Sequence, residues 1–184
     1  MRADAQRNRE LIAATALDLF ARHGAGVSMD EIARAAGLGV GTLYRHFPDR
    51  QALLESIAAD TLRRLLTSSH AEAAKEIPRW QVLLQIVENC AGLPLALVKS
   101  LTDETPADPQ LSELVRELDV LFEQVVERAQ EEKTLRRDIP AHEVVRLLNV
   151  AVCRPGARAD DHLTTVMLDG LSTSNPVRRI QQPD

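Results

Sequence analysis

One leucine between two glycines, Gly37-Leu38-Gly39, constrains this chain more than any other feature. Such a step suits a tight turn with one apolar side chain pointing inward, and it interrupts any regular element that runs into it. Before it, Ser28-Met29-Asp30-Glu31 has the residues of a capping box. The Ser28 hydroxyl accepts from the Glu31 backbone N–H while the Glu31 side chain reaches back to Ser28. A short helix through Ala35 or Ala36 follows. After the turn a second short helix, 40–46, runs into Phe47-Pro48-Asp49, where the residue before proline is pushed out of the helical region. Two short helices joined by a Gly turn and closed by a proline form a helix-turn-helix. The second helix of such a unit is free to enter a groove, and the major groove of DNA, about 12 Å wide, admits one.

Residues 40–46 are suited to that groove. Thr42 and Tyr44 carry hydroxyls, Arg45 a cation and His46 an imidazole. Gly41 has no side chain, so the DNA backbone or a base can come close, and Val40 can touch a thymine methyl group. Leu43 and Phe47 read as the core of the small unit.

The rest of the chain has helical periodicity, and no segment alternates convincingly with period two. Residues 4–23 form a helix with Ile12, Ala16, Leu19 and Phe20 on one stripe; Arg7, Arg9, Asp18 and Arg22 lie largely off it. Gly24-Ala25-Gly26 ends that helix. Asp49 caps a fourth helix, 50 to about 68, with Leu53, Leu54, Ile57, Ala58, Leu62 and Leu65 on its stripe. Residues 80–101 are strongly apolar, with a break at Gly92-Leu93-Pro94. A loop is expected over 102–109, a long helix over 111–133, a connector over 136–140, and helices over 141–153 and 160–171. Aromatic residues make up 3%, which argues against a β-sandwich. The fold class is therefore all-α. An N-terminal three-helix, homeodomain-like unit occupies 1–50, with the fourth helix, 49–70, as connector. A larger helical domain occupies 71–175, and 176–184 is a tail.

Several function classes lack support. No apolar run reaches the roughly 18–20 residues of a membrane span. The polar start has no secretory core, so a cytoplasmic protein is expected. Cys90 and Cys153 do not form a Cys-x-x-Cys motif, and buried thiols are the expected reading. Neither His23 nor His46 has a second His or a Cys three or four residues away, so no metal is expected. There is no nucleophile elbow, P-loop or dinucleotide fingerprint, so neither an enzyme nor a cofactor is expected. Residues 1–64 hold nine Arg and no Lys against eight acidic residues, while 65–184 hold 13 basic against 19 acidic residues. The second part is a solvated acidic surface; the first leaves room for DNA contact at one end.

At these residues the sequence resembles the tetracycline-repressor-like (TetR) family of bacterial transcription regulators. The resemblance rests on Ile12 with Leu19-Phe20 and Gly24, then on Ile32-Ala33-x-x-Ala36-Gly37-Leu38. It continues through Gly41-Thr42-Leu43-Tyr44-x-His46-Phe47 and Asp49-Arg50-x-x-Leu53-Leu54, covering about residues 8–60. The family's pattern implies that Thr42 and Tyr44 contact phosphates and that Val40 and Gly41 sit where bases are read. It also implies that His46 lies near the DNA backbone and that Arg50 holds a phosphate. With Arg45 beside them and the capping Ser28, these form the candidate DNA-binding set. Gly39 stands where Ser is usual, which removes a hydroxyl cap at a cost of tenths of a kcal/mol. Arg50 stands where Lys is commoner, and Arg can still grip a phosphate.

One recognition helix reads few bases, whereas two related by a twofold axis reach half-sites about 34–36 Å apart, so a homodimer on a palindromic DNA operator is expected. The family implies an interface built from the last two helices. Val144, Leu147, Leu148 and Ala151 make one stripe; Leu163, Val166, Met167 and Leu171 make the other, with Gly170 allowing close approach. The middle helices are expected to enclose a small-molecule effector, largely apolar. Trp80, Leu84, Val87, Leu118 and Phe122 are candidate walls, and Asn89 and Asn149 candidate polar contacts. The expected function is a repressor released by its effector. A regulator controlled by a protein partner, a helical enzyme and a dimerisation module that does not bind DNA are the rival readings.

Overall fold

The computed structural model describes residues 2–23, 26–90, 93–104 and 109–173. Among them the chain forms nine helices and no strand; one isolated antiparallel bridge pairs Leu135 with Ser172. In order these are α1 (Arg2–His23), α2 (Met29–Ala35), α3 (Val40–His46), α4 (Arg50–Ala73) and α5 (Arg79–Cys90). They continue as α6 (Leu95–Glu104), α7 (Pro109–Glu131), α8 (Ala141–Val152) and α9 (His162–Leu171). The chain divides into two compact units, Met1–Asp60 and Thr61–Asp184, and the division falls inside α4.

In the first unit α1, α2 and α3 pack on one another. Their stripes meet in a core of Ile12, Ala16, Ile32, Ala33, Leu43 and Phe47, which Leu53 and Ile57 of α4 complete. Burying each large side chain contributes about 1.5–3 kcal/mol. The turn after α2 follows from its two glycines. Gly37 adopts φ +68°, a left-handed conformation that costs a side chain about 1–2 kcal/mol. There the Gly37 N–H donates to the Arg34 carbonyl at 3.1 Å and the Leu38 N–H to the Ala33 carbonyl at 2.9 Å. These bonds are the Schellman closure of a helix end. Gly39 is extended at φ −68°, ψ 141°, and starts α3 without a side-chain cap.

In the second unit α7 packs on α5 and α8, and α8 on α9. The apolar stripe of α7, including Leu111, Leu118, Phe122, Val125 and Val126, faces Val82, Leu83 and Ile86 of α5 and Val144, Val145 and Leu148 of α8 in one core. The Gln130 amide donates to the carbonyls of Arg136 and Ile139 at 2.9 and 2.8 Å, fixing the connector. The Arg136 N–H then donates to the Leu171 carbonyl at 3.0 Å, tying that connector to the end of α9. Asp161 caps α9 by accepting from the Thr164 N–H at 2.9 Å and also accepts from the Arg158 N–H at 2.8 Å. These bonds hold its carboxyl well below the usual carboxylate range.

Some element ends differ from expectation. α4 runs to Ala73 rather than about 68, since no proline or glycine interrupts it. Part of the expected loop over 102–109 is helical: α6 reaches Glu104 and α7 starts at Pro109, a residue suited to a first helical turn. The expected stops at Gly24-Ala25 and Gly92, and the tail, lie outside the described residues.

Opposite effects are expected at the two turn glycines. Gly37→Ala should lower the unfolding free energy by about 1 kcal/mol. Gly39→Ser, in extended geometry and at a cap position, should raise it by a few tenths. Urea titration of both variants checks this.

Candidate nucleic-acid interface

α3 has seven residues, and two side chains fix which way it faces. Leu43 and, just past its end, Phe47 are 0% and 1% exposed. Residues four apart share a helix face, so Val40 and Tyr44 stand together on the other side, 40% and 44% exposed. Gly41 lies beside them, and a Cβ there would meet nothing within 4 Å. Arg45, also exposed, folds back along its own helix. Its Nε donates to the Gly41 carbonyl at 3.2 Å and its Nη2 to the Thr42 hydroxyl at 3.0 Å. A methyl, a bare backbone, a phenol, a hydroxyl and a guanidinium therefore share one outward surface. Those groups suit base edges and phosphates.

The remaining candidates have structural work as well. Ser28 caps α2: its hydroxyl accepts from the Glu31 N–H at 3.2 Å and donates to the Glu31 carboxylate at 2.8 Å. The Ser28 N–H donates to the same carboxylate at 2.8 Å and, with the hydroxyl, lowers the pKa of Glu31. His46 is half-buried at the end of α3. Arg50 is half-buried too; its guanidinium donates to the Val27 carbonyl and lies 5.0 Å from the centre of the Phe20 ring. Its side chain is thus turned onto its own unit.

Arg9 is a residue that sequence reasoning set aside as lying off the apolar stripe. In the structure it continues the stripe, because 9, 12 and 16 are spaced three and four apart. Its guanidinium donates to the His46 carbonyl at 3.3 Å and the Ser56 hydroxyl at 2.9 Å, and stacks 4.5 Å from the Phe47 ring centre. One cation thus links α1, the end of α3 and α4.

The second unit contains a cavity of about 170 Å³. Leu118, Phe122 and Asn149 line it. Val87 lines a separate space of about 10 Å³, and neither space is lined by Trp80, Leu84 or the exposed Asn89. Sequence reasoning missed Asp119 and Lys99 in the larger cavity, and both cysteines also line it. The signal for Asp119 was a carboxylate beside Leu118 and three residues before Phe122, at the edge of the α7 stripe. Burial pushes the Cys90 thiol up to about 12.

The candidate interface residues fall on two faces. Val144, Leu148, Ala151 and Leu171 are buried within their own chain. Leu147, Leu163 and Val166 are exposed, and Met167 and Gly170 half-buried. Val150, 62% exposed and three residues after Leu147, was missed. α8 is apolar on opposite sides, so periodicity alone could not separate the inner side from the outer.

Arg9→Met should remove two charged hydrogen bonds and a ring contact, and lower stability by about 2 kcal/mol. Thermal unfolding followed by circular dichroism measures it; an unchanged melting temperature would remove the linking role.

Similar proteins are known. The sequence profile of the bacterial regulatory proteins of the tetR family matches residues 12–57. That of the C-terminal domain of SbtR-like transcriptional regulators matches 80–173. A solved TetR transcription regulatory protein from Mycobacterium vanbaalenii is 32% identical, over 93% of this chain and 98% of that one, with a TM-score of 0.65. A TetR regulator from Streptomyces coelicolor is 26% identical over 89% and 98%, with a TM-score of 0.62. A gamma-butyrolactone receptor of 21% identity has the same fold over 94% and 92%, with a TM-score of 0.71. HTH-type transcriptional regulators of Staphylococcus aureus are 48% identical over 54 residues, 29% of this chain and 29% of theirs. The chain thus matches less than a third of the length of those curated relatives.

Proposed function

Since the chain belongs to the tetR family of bacterial regulatory proteins, we propose that it binds a palindromic operator as a homodimer and represses transcription. A small, largely apolar effector releases it by occupying the cavity of the second unit. Its place of work is the cytoplasm, where the operator lies; among the described residues no single helix is long and apolar enough to cross a membrane.

The observation that carries this reading is the outward face of α3, with Val40, Gly41, Thr42, Tyr44 and Arg45 exposed or half-exposed while Leu43 is buried. Val40 and Gly41 read base edges. Thr42 and Tyr44 hold phosphates, with Arg45 alongside Thr42 and His46 near the backbone. Arg50, whose guanidinium serves Val27 and Phe20, adds positive field without a free grip. Ser28 keeps α2 in place beside them.

Exposed Leu147, Val150, Leu163 and Val166 support a twofold interface on α8 and α9, where a Cβ at Gly170 would meet nothing in its own subunit. Release of the operator requires the effector to distinguish two states of the dimer. A 100-fold loss of operator affinity corresponds to about 2.7 kcal/mol of coupling.

Selection from a random DNA pool by the purified protein should enrich a palindrome with half-site centres about 34–36 Å apart. Thr42→Ala and Tyr44→Ala should weaken binding across sequences and leave the salt slope unchanged, since neither side chain carries a charge. Val40→Ala should shift base preference instead, and a variant with unaltered preference would remove Val40 from base reading.

Val166→Glu introduces a charge into the proposed interface. Sedimentation should then find a monomer, and operator affinity should fall at least tenfold. A charged variant that remains dimeric would locate the twofold elsewhere.

A further inference from the structure

The cavity of the second unit is largely apolar, and its polar side chains are Lys99, Asp119 and Asn149. Asp119 and Phe122, three apart on α7, share a helix face, and both line the cavity with Asn149 of α8. Asn149 and Asp119 face the same space, and the Asn149 amide favours the charged form of the Asp119 carboxyl. Burial raises the pKa of that carboxyl, the Asn149 amide opposes the rise, and Glu123 one turn along α7 adds to it. These acting neighbours include no cation among the described residues, so the cost of burying the charge is only partly offset. Lys99 also lines the cavity, but it is exposed, and water screens its charge more than that of partly buried Asp119. The walls are otherwise leucine, valine and two thiols, with Cys90 buried.

We propose that the ligand of this cavity is a small hydrophobic amine, bound as its ammonium ion against the Asp119 carboxylate and the face of Phe122, with its hydrocarbon body among Leu62, Leu118 and Val152. The proposal rests on the reading of this cavity as the effector site and names the effector's class. The ammonium supplies a counter-charge and donates hydrogen bonds to the carboxylate, with the Asn149 amide beside it as a further polar contact. The Phe122 ring adds attraction for a cation that it does not offer an alcohol. A ligand carboxylate would face Asp119 across the same space and be repelled. Size narrows the class: an apolar cavity of about 150 Å³ takes up benzene, so this one fits about eight heavy atoms.

The test is calorimetric titration of the full-length protein with benzylamine, benzyl alcohol and benzoate, near-isosteric and respectively cationic, neutral and anionic at pH 7. Benzylamine should bind at least tenfold tighter than benzyl alcohol, and benzoate should not bind. Asp119→Asn should bring benzylamine down to the level of the alcohol. Phe122→Leu, which keeps an apolar wall, should narrow the preference without reversing it. Circular dichroism melting of both variants establishes that each is folded. Equal binding of alcohol and amine, preferred binding of benzoate, an Asp119→Asn variant that still prefers the amine, or no binding by any of the three would each overturn the proposal. Operator affinity is then measured with and without benzylamine. A fall supports the amine as effector. Binding that leaves operator affinity unchanged upholds the chemistry of the cavity and overturns its reading as an effector site.

Discussion

Burial of Leu43 and Phe47 is the interaction on which the rest of the first unit turns. A helix of seven residues is far below the roughly 12–15 at which helices become marginal alone. Nothing inside α3 compensates: its first residue follows an uncapped glycine and its second is glycine. α3 is therefore helical because two side chains on one face are buried where it packs on α1 and α2, and the same two side chains decide which residues face outward. Folding and the presentation of the proposed DNA-reading surface are one event here, since loss of the buried face leaves no helix to present.

Around that contact, cations divide by direction. Arg9 and Arg50 turn onto the unit and satisfy backbone carbonyls and aromatic faces. Arg45 lies on the outer face and, among the described residues, meets groups of its own helix. Inward arginines cover apolar rings with their planes while keeping their charge, a use that lysine would serve less well. They also contribute a positive field at the end of a chain whose remainder is acidic, without needing to touch DNA.

What could be read from the sequence was local. The Ser28–Glu31 box spans four residues and the Gly37 turn three, so their geometry follows from the neighbouring residues alone. The all-helical class followed from periodicity summed over many residues. Arg9 could not be assigned in this way, because its partners lie 37 and 47 residues further along. Periodicity likewise identified α8 as apolar but not which side faces inward, since Leu148 and Leu147 differ by one residue and by burial. The cavity draws residues from α4 to α8 and just beyond, and only those on the α7 stripe, Leu118 and Phe122, together with Asn149, were nominated in advance. Pockets arise where several helices fail to fill the space between them, and that depends on packing no single stripe encodes.

The open space around Gly41 has a consequence for how such a protein changes over generations. A side chain added there meets nothing of its own chain within 4 Å, and neighbouring Val40 is already in solvent. The residues proposed to choose the DNA sequence are thus disjoint from those that hold the helix. A duplicated gene can drift toward a new operator through single substitutions on this face while its product still folds. The pool of foldable neighbours is larger than the pool that recognises any one site. Evolvability of this kind is a property of the packing: it exists because a helix too short to stand alone is anchored on one side only.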